Sequence, residues 1–162
     1  MSDRTPVQLT VYDCPPSQAA AALRVIHEYG LRFEFLNEGQ PADDQLGLGL
    51  TYMDPEVPCG SAQLIAQTLQ ESAPRASWEV WEDPAYEWLG DLYRFTPDLG
   101  LWTANCDAEG TPLFTPDDVH RLAALPNTTD EPARARALGQ THDDRLHTLA
   151  TANEGAVLAA AT

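Results

Sequence analysis

Val7-Gln8-Leu9-Thr10-Val11-Tyr12 alternates apolar with polar side chains, the period-2 pattern of a strand buried on one face. Pro15 and Pro16 stop that strand and open a helix at its first turn, where proline costs least. Ala19, Ala22, Leu23 and Ile26 fall on one face at helical spacing, and Gly30 stands where a C-terminal cap belongs. Leu31, Phe33 and Phe35 then alternate with Arg32 and Glu34 as a second strand. The same order follows again. Leu46, Leu48, Leu50 and Tyr52 alternate with Gly47, Gly49 and Thr51 as a third strand, and Asp54, Pro55 and Pro58 read as turn residues. Ser61 is placed to cap a helix whose apolar stripe is Ala62, Ile65 and Leu69. Pro74 ends it, and Trp78 and Val80 alternate with Ser77 and Glu79 in a fourth strand. Two βαβ units in series predict an α+β fold, a ferredoxin-like βαββαβ sandwich over residues 5–83 with both helices on one face of an antiparallel sheet.

Beyond Asp83 the pattern changes. Leu92, Tyr93 and Phe95, then Leu101 and Trp102, flank the turn Thr96-Pro97-Asp98-Leu99-Gly100, and Asp107-Ala108-Glu109-Gly110 leads to Leu113 and Phe114. These predict a small antiparallel β-meander, followed by a short helix through about Leu125 with Thr115 as its N-cap. Residues 1–126 then form a single α+β domain, with the meander and helix over 84–126. From residue 127 to 162 apolar anchors are sparse and alanine is frequent, which predicts a loosely attached or disordered tail. The stretch YRFTPDLGLWTANCDAEGTPLFT (93–115), preceded by WEDPAYEWLG (81–90), resembles a segment of small uncharacterised proteins of actinobacteria, their plasmids and phages. That resemblance covers roughly residues 78–125 and implies a host context and no mechanism.

Composition excludes several chemistries. All nine basic residues are arginine, so a phosphate-loop lysine, a Schiff-base lysine and a lysine general base are absent. Cys14, Cys59 and Cys106 lie far apart without a C-x-x-C pair, which argues against a disulfide framework or a zinc knuckle. The opening MSDRTPVQLTVYD lacks a basic segment followed by an apolar run, and nothing approaches the roughly 18 apolar residues of a membrane helix. A cytoplasmic protein without membrane contact is the expectation.

Candidate chemistry is thin. Cys59 stands at a helix start, where the dipole lowers a thiol pKa, but no histidine lies near it in sequence. Asp107-Ala108-Glu109-Gly110 opens like a calcium loop, yet the later ligands are missing and a hairpin turn explains it better. No catalytic residue, metal site or cofactor is expected. Charge is the more informative feature. The formal net charge is −16, and sixteen of the twenty-five acids lie between Glu38 and Asp118 against two arginines, Arg75 and Arg94. Glu79 and Trp81 are expected on the sheet's outer face beside Thr10, Tyr12, Arg32 and Glu34, an aromatic face with acids where RNA binders carry bases. Direct nucleic-acid binding is therefore disfavoured by repulsion.

The reading that follows is a non-enzymatic acidic protein-interaction module engaging a basic protein surface. A sharper version is a nucleic-acid mimic that blocks a DNA- or RNA-handling protein. Its carriers would be Asp43, Asp44, Asp54, Glu56, Glu79, Trp81, Glu82, Asp83, Glu87 and Asp91, gathered as one continuous field. The competing reading is a small-molecule-binding or hydrolytic domain with a pocket between sheet and meander, lined by Trp81, Trp88, Tyr93 and Trp102. Homodimerisation through the open sheet face is compatible with either.

Overall fold

The apolar set Val7, Leu9 and Val11 is fully buried, and it fixes which side of β1 (Arg4–Asp13) faces the core. A computed structural model describes residues 3–33, 40–126 and 131–160. After β1 come a short 3₁₀ turn at Pro16–Gln18, α1 (Ala19–Glu28), β2 (Arg32–Phe33), β3 (Gln45–Gly47), β4 (Thr51–Pro58), α2 (Ser61–Ser72) and β5 (Ser77–Glu82). The chain continues with β6 (Gly90–Thr96), β7 (Gly100–Cys106), β8 (Pro112–Leu113), α3 (Pro116–Ala123), α4 (Glu131–Ala137), α5 (Gln140–Ala152) and β9 (Val157–Ala159). The fold is mixed α+β. A seven-stranded sheet has the order β2-β4-β1-β5-β6-β7-β8, antiparallel at every pairing described, and β3 and β9 form a separate two-stranded sheet.

One sheet face is covered by α1 and α2. Leu9 lies between Tyr52 of β4 and Val80 of β5 there, and Trp78 stacks on Phe95 at 5.5 Å. Ala19, Ala22, Leu23 and Ile26 of α1 and Ala62, Ile65 and Leu69 of α2 close over them, as their helical spacing requires. The end of α1 is held by two main-chain bonds, Gly30 N–H to the His27 carbonyl and Leu31 N–H to the Ile26 carbonyl.

Four features differ from the sequence expectation. The third strand is divided, because Gly49 takes a left-handed φ of +72° and turns the chain between β3 and β4. Asp54, Pro55 and Pro58, expected in a turn, lie within β4. Among the described residues β2 pairs β4 only at Tyr52 and Met53, so the outer side of β4 beyond Met53 needs no N–H and tolerates proline. The meander continues the main sheet edgewise from β5 and does not form a separate layer over it. Of the expected second strand, residues 34 and 35 lie outside the described residues.

The fourth difference concerns the expected loose tail, of which residues 127–130, 161 and 162 lie outside the described residues. Here α5 covers the other sheet face. Arg94 of β6 is buried on that face and donates from Nε to Glu79 at 2.6 Å and from Nη1 to the Gly139 carbonyl at 3.2 Å, with Nη2 3.2 Å from Asp143. Its guanidinium also sits 5.3 Å from the Trp102 ring. Leu146 and His142 are buried beneath α5, and Asn153 donates to the Tyr12 carbonyl and Asp13 as the chain passes the end of β1. Beyond it β9 pairs with β3 beside α1. Polar anchoring of this kind leaves no apolar stripe to read, which is why alanine content alone pointed the other way.

His142 Nε2 lies 3.0 Å from the Gly100 carbonyl, while its buried Nδ1 has no partner. Desolvation, and then the Arg136 and Arg94 charges, hold this imidazole below its ordinary value, against the Gly100 hydrogen bond and Asp98. The unfolded chain therefore takes up the proton first as pH falls. Stability should decline below about pH 6.5, the ordinary imidazole value. Chemical denaturation between pH 7.5 and 5.5 should show this loss, and His142→Gln should flatten the slope.

Candidate functional site

The seven residues Asp83–Leu89 that join β5 to β6 form a tip at one end of the sheet. Asp83 N–H is tied to the Pro6 carbonyl, and Ala85 and Trp88 exchange both main-chain bonds, at 3.0 and 2.9 Å, around Tyr86 and Glu87. Tyr86 closes this reversal at φ +54°, the one non-glycine positive φ among the described residues. Its side chain is 88% exposed, and those of Trp88 and Leu89 are 59% and 54% exposed. Three large apolar groups in four residues, all facing water, exceed the scatter expected of a surface.

Acids surround them. Glu87 is in the tip, Asp91 begins β6, and the neighbouring Asp107–Gly110 turn brings Glu109 close enough to raise the Asp83 pKa, after desolvation, through charge repulsion. Asp91 is likewise raised by desolvation, against a hydrogen bond from Asn105. None of the four ion pairs formed among the described residues involves Asp83, Glu87, Asp91, Asp107 or Glu109. Trp81 packs against the Asp107–Gly110 turn, because Gly110 passes so close that a Cβ there would lie 3.0 Å from its ring. Asp107 Oδ1 accepts from Glu109 and Thr111 N–H groups, so the Asp107–Gly110 segment is a self-bonded turn.

The ten expected site residues do not share one surface. Asp83 and Glu87 lie in the tip and Asp91 is the second residue of β6, on the sheet face opposite Trp81. Asp54 and Glu56 lie on β4, where Asp54 Oδ1 accepts the Glu56 N–H. Asp43 and Asp44 are exposed before β3, with β4 and β1 between that side and the tip. Glu79 is bound to Arg94 beneath α5. Glu82 is only 4% exposed, and its carboxylate accepts from Gly60 N–H at 2.8 Å and Ala62 N–H at 3.0 Å. It caps α2 from a neighbouring strand, a role expected of Ser61, whose hydroxyl instead donates to the Pro58 carbonyl. The single continuous acidic field is therefore corrected to a tip cluster, flanking acids and two internal carboxylates.

The pocket expected from Trp81, Trp88, Tyr93 and Trp102 is not formed, since Tyr93 faces the α1–α2 side, Trp81 and Trp102 face the other, and Trp88 is at the tip. Cys59 is exposed, but desolvation and the Glu82 and Asp3 carboxylates raise its thiol pKa, opposite to an activated nucleophile. Among the described residues no group of three or more His, Cys, Asp or Glu could hold a metal ion, and no helix is long and apolar enough to cross a membrane. Sequence reasoning missed Tyr86 and Leu89; the signal was Glu87 and Trp88 crowded after Pro84, a turn too short to bury them.

With this geometry in hand, comparison supplies the lineage. A family model described as protein of unknown function (DUF3145) matches residues 21–160. The chain belongs to the DUF3145 family. No curated protein and no solved structure matches it. The family match spans the tip, the meander and the docked C-terminal segment together.

Removing the Glu82 carboxylate leaves two main-chain donors without their partner at a partly buried helix start. Glu82→Ala should lower stability by about 2–3 kcal/mol in urea denaturation, whereas Glu71→Ala on the exposed side of α2 should stay within about 0.5 kcal/mol.

Proposed function

We propose that this DUF3145 protein is a non-enzymatic interaction module whose tip engages a basic protein surface. The single observation that carries the reading is the exposure of Tyr86, Trp88 and Leu89 beside Asp83, Glu87 and Asp91, none of which enters an ion pair among the described residues. Aromatic anchors supply most of the energy at such interfaces, and surrounding charges speed encounter and select the partner's sign. The narrower reading, acids standing in for phosphates of a nucleic acid, draws less support because Glu79 and Glu82 are engaged inside the protein. A cytoplasmic setting, expected from the sequence pattern, and a mobile-element origin, implied by the sequence resemblance, fit this reading. The strand order β2-β4-β1-β5, with α1 and α2 on one side, supports a ferredoxin-like core extended by β6, β7 and β8.

Charge reversal away from Glu82 tests the proposal. A Glu87→Arg/Glu109→Arg chain should melt within about 2 °C of the parent, since both carboxylates are exposed and unpaired. Affinity capture from host extract at low salt should lose the parent's specific partner, and raising salt should weaken parental capture. Glu28→Arg/Glu71→Arg, at two exposed helix positions away from the tip, serves as the control of equal charge change. Loss with the control as well, or retention by the double variant, refutes the tip as the contact.

A further inference from the structure

The exposed end of the main sheet carries a second, independent feature. β8 pairs β7 only at Asn105 and Cys106, so among the described residues Gly100–Ala104 has no strand on its outer side. Asp107 N–H bonds the Thr111 carbonyl, and Pro112, opposite Cys106, has no N–H. Antiparallel alternation then directs the main-chain groups of Asn105, Thr103 and Leu101 outward. Asn105 meets Leu113; Thr103 and Leu101 are exposed, and among the described residues no main-chain bond outside the β6–β7 ladder reaches them.

Proteins ordinarily guard such an edge with charge, proline or a bulge. This chain carries twenty-five acids and nine arginines, yet Gly100-Leu101-Trp102-Thr103-Ala104-Asn105 contains none of them and no proline. Beside the edge lies an open cavity of about 420 Å³ whose apolar walls include Ala104, Leu113, Phe114, Leu122 and Leu125. Its far wall is α3, which is held by a Thr115–Asp118 capping box and an Arg121–Asp118 ion pair and buries no residue.

We propose that the outer edge of β7 accepts an extended segment of a partner protein by strand addition. The segment lies in line with β8, pairs its main chain with Leu101 and Thr103, and sets an apolar side chain into the cavity beneath α3. The unpaired ladder dictates an extended occupant, and main-chain bonding with pockets for alternate side chains is the recognition mode that results. The net charge of −16 opposes a second copy of this chain at so short an edge and favours a basic segment.

Amide exchange by NMR on the full chain, titrated with an octapeptide alternating arginine and valine, provides the test. The Leu101 and Thr103 amides should exchange more slowly with peptide present, while β6 amides stay unchanged. The same peptide methylated at every backbone nitrogen keeps its charge and should bind at least about tenfold more weakly. Thr103→Pro removes one outward N–H without touching the β6 ladder and should abolish protection at Leu101; the Glu87→Arg/Glu109→Arg chain should bind as the parent does. No slowing at millimolar peptide, or equal affinity for the methylated peptide, overturns the proposal without help from any variant. A dimer that Thr103→Pro dissolves would assign the edge to a second copy and overturn it too.

Discussion

A guanidinium in the middle of a sheet face cannot stay there alone. Arg94 is buried, and desolvating its charge would cost several kcal/mol if partners were missing. The partners come from four directions: Glu79 on β5, the Trp102 ring on β7, and the Gly139 carbonyl and Asp143 at the start of α5. Two of those partners exist only when the C-terminal segment lies across the sheet. The docking of α5 is therefore a condition of Arg94 being buried, and burial in turn holds β5, β6 and β7 in one register. Trp102 reinforces the arrangement by donating from Nε1 to the Ala137 carbonyl.

Covering both faces in this way decides what is left for other molecules. The α1–α2 layer and the α5 layer take the faces, and β9 returns to pair with β3 beside α1. Among the described residues, the tip projects at one end of the sheet, and the outer side of β7 lies unpaired at one lateral edge. The acids are divided by the same logic. Glu79 offsets a buried arginine, Glu82 meets the positive end of α2, and Asp107 and Asp118 satisfy main-chain N–H groups of a turn and of a helix start. Those carboxylates serve the fold. Asp91 accepts from Asn105, while Asp83, Glu87 and Glu109 have no such partner among the described residues and lie in or beside the tip.

Much of the architecture was legible because it rests on periodicity. The alternation of Val7, Leu9 and Val11, the stripes of α1 and α2, the hairpin turn at Thr96–Gly100 and the Thr115 cap are local signals, and each appears at its place. The illegible parts depend on contacts distant in sequence. Glu82 reaches Ala62 across 20 residues, Arg94 reaches Gly139 across 45, and Asn153 reaches Tyr12 across 141. No window of sequence contains both ends of such a bond. The candidate site divides the same way: Asp83, Glu87 and Asp91 were readable as acids, but whether a carboxylate points to water or to a helix start is a tertiary fact. Glu82 and Asp83 are adjacent, yet the Glu82 carboxylate accepts two N–H groups while the buried Asp83 Oδ1 has no partner among the described residues.

Tyr86 bears on whether the tip is more than a connection. A left-handed residue with a Cβ costs roughly 1–2 kcal/mol relative to the ordinary backbone regions, and glycine or asparagine would remove most of that cost in so tight a reversal. The Asp83–Leu89 connection uses glycine or asparagine nowhere, although left-handed turns at Gly100 and Gly110 show that the chain supplies glycine where only geometry matters. Placing a tyrosine at this position instead sends its ring outward beside Trp88, where neither contributes to the core. The backbone strain and the exposed apolar area are both unfavourable to the isolated chain. Contact with an aromatic-accepting, positively charged surface would recover the second and make the first worth keeping, which is why the tip, and not the larger count of acids, is the feature that argues for a partner.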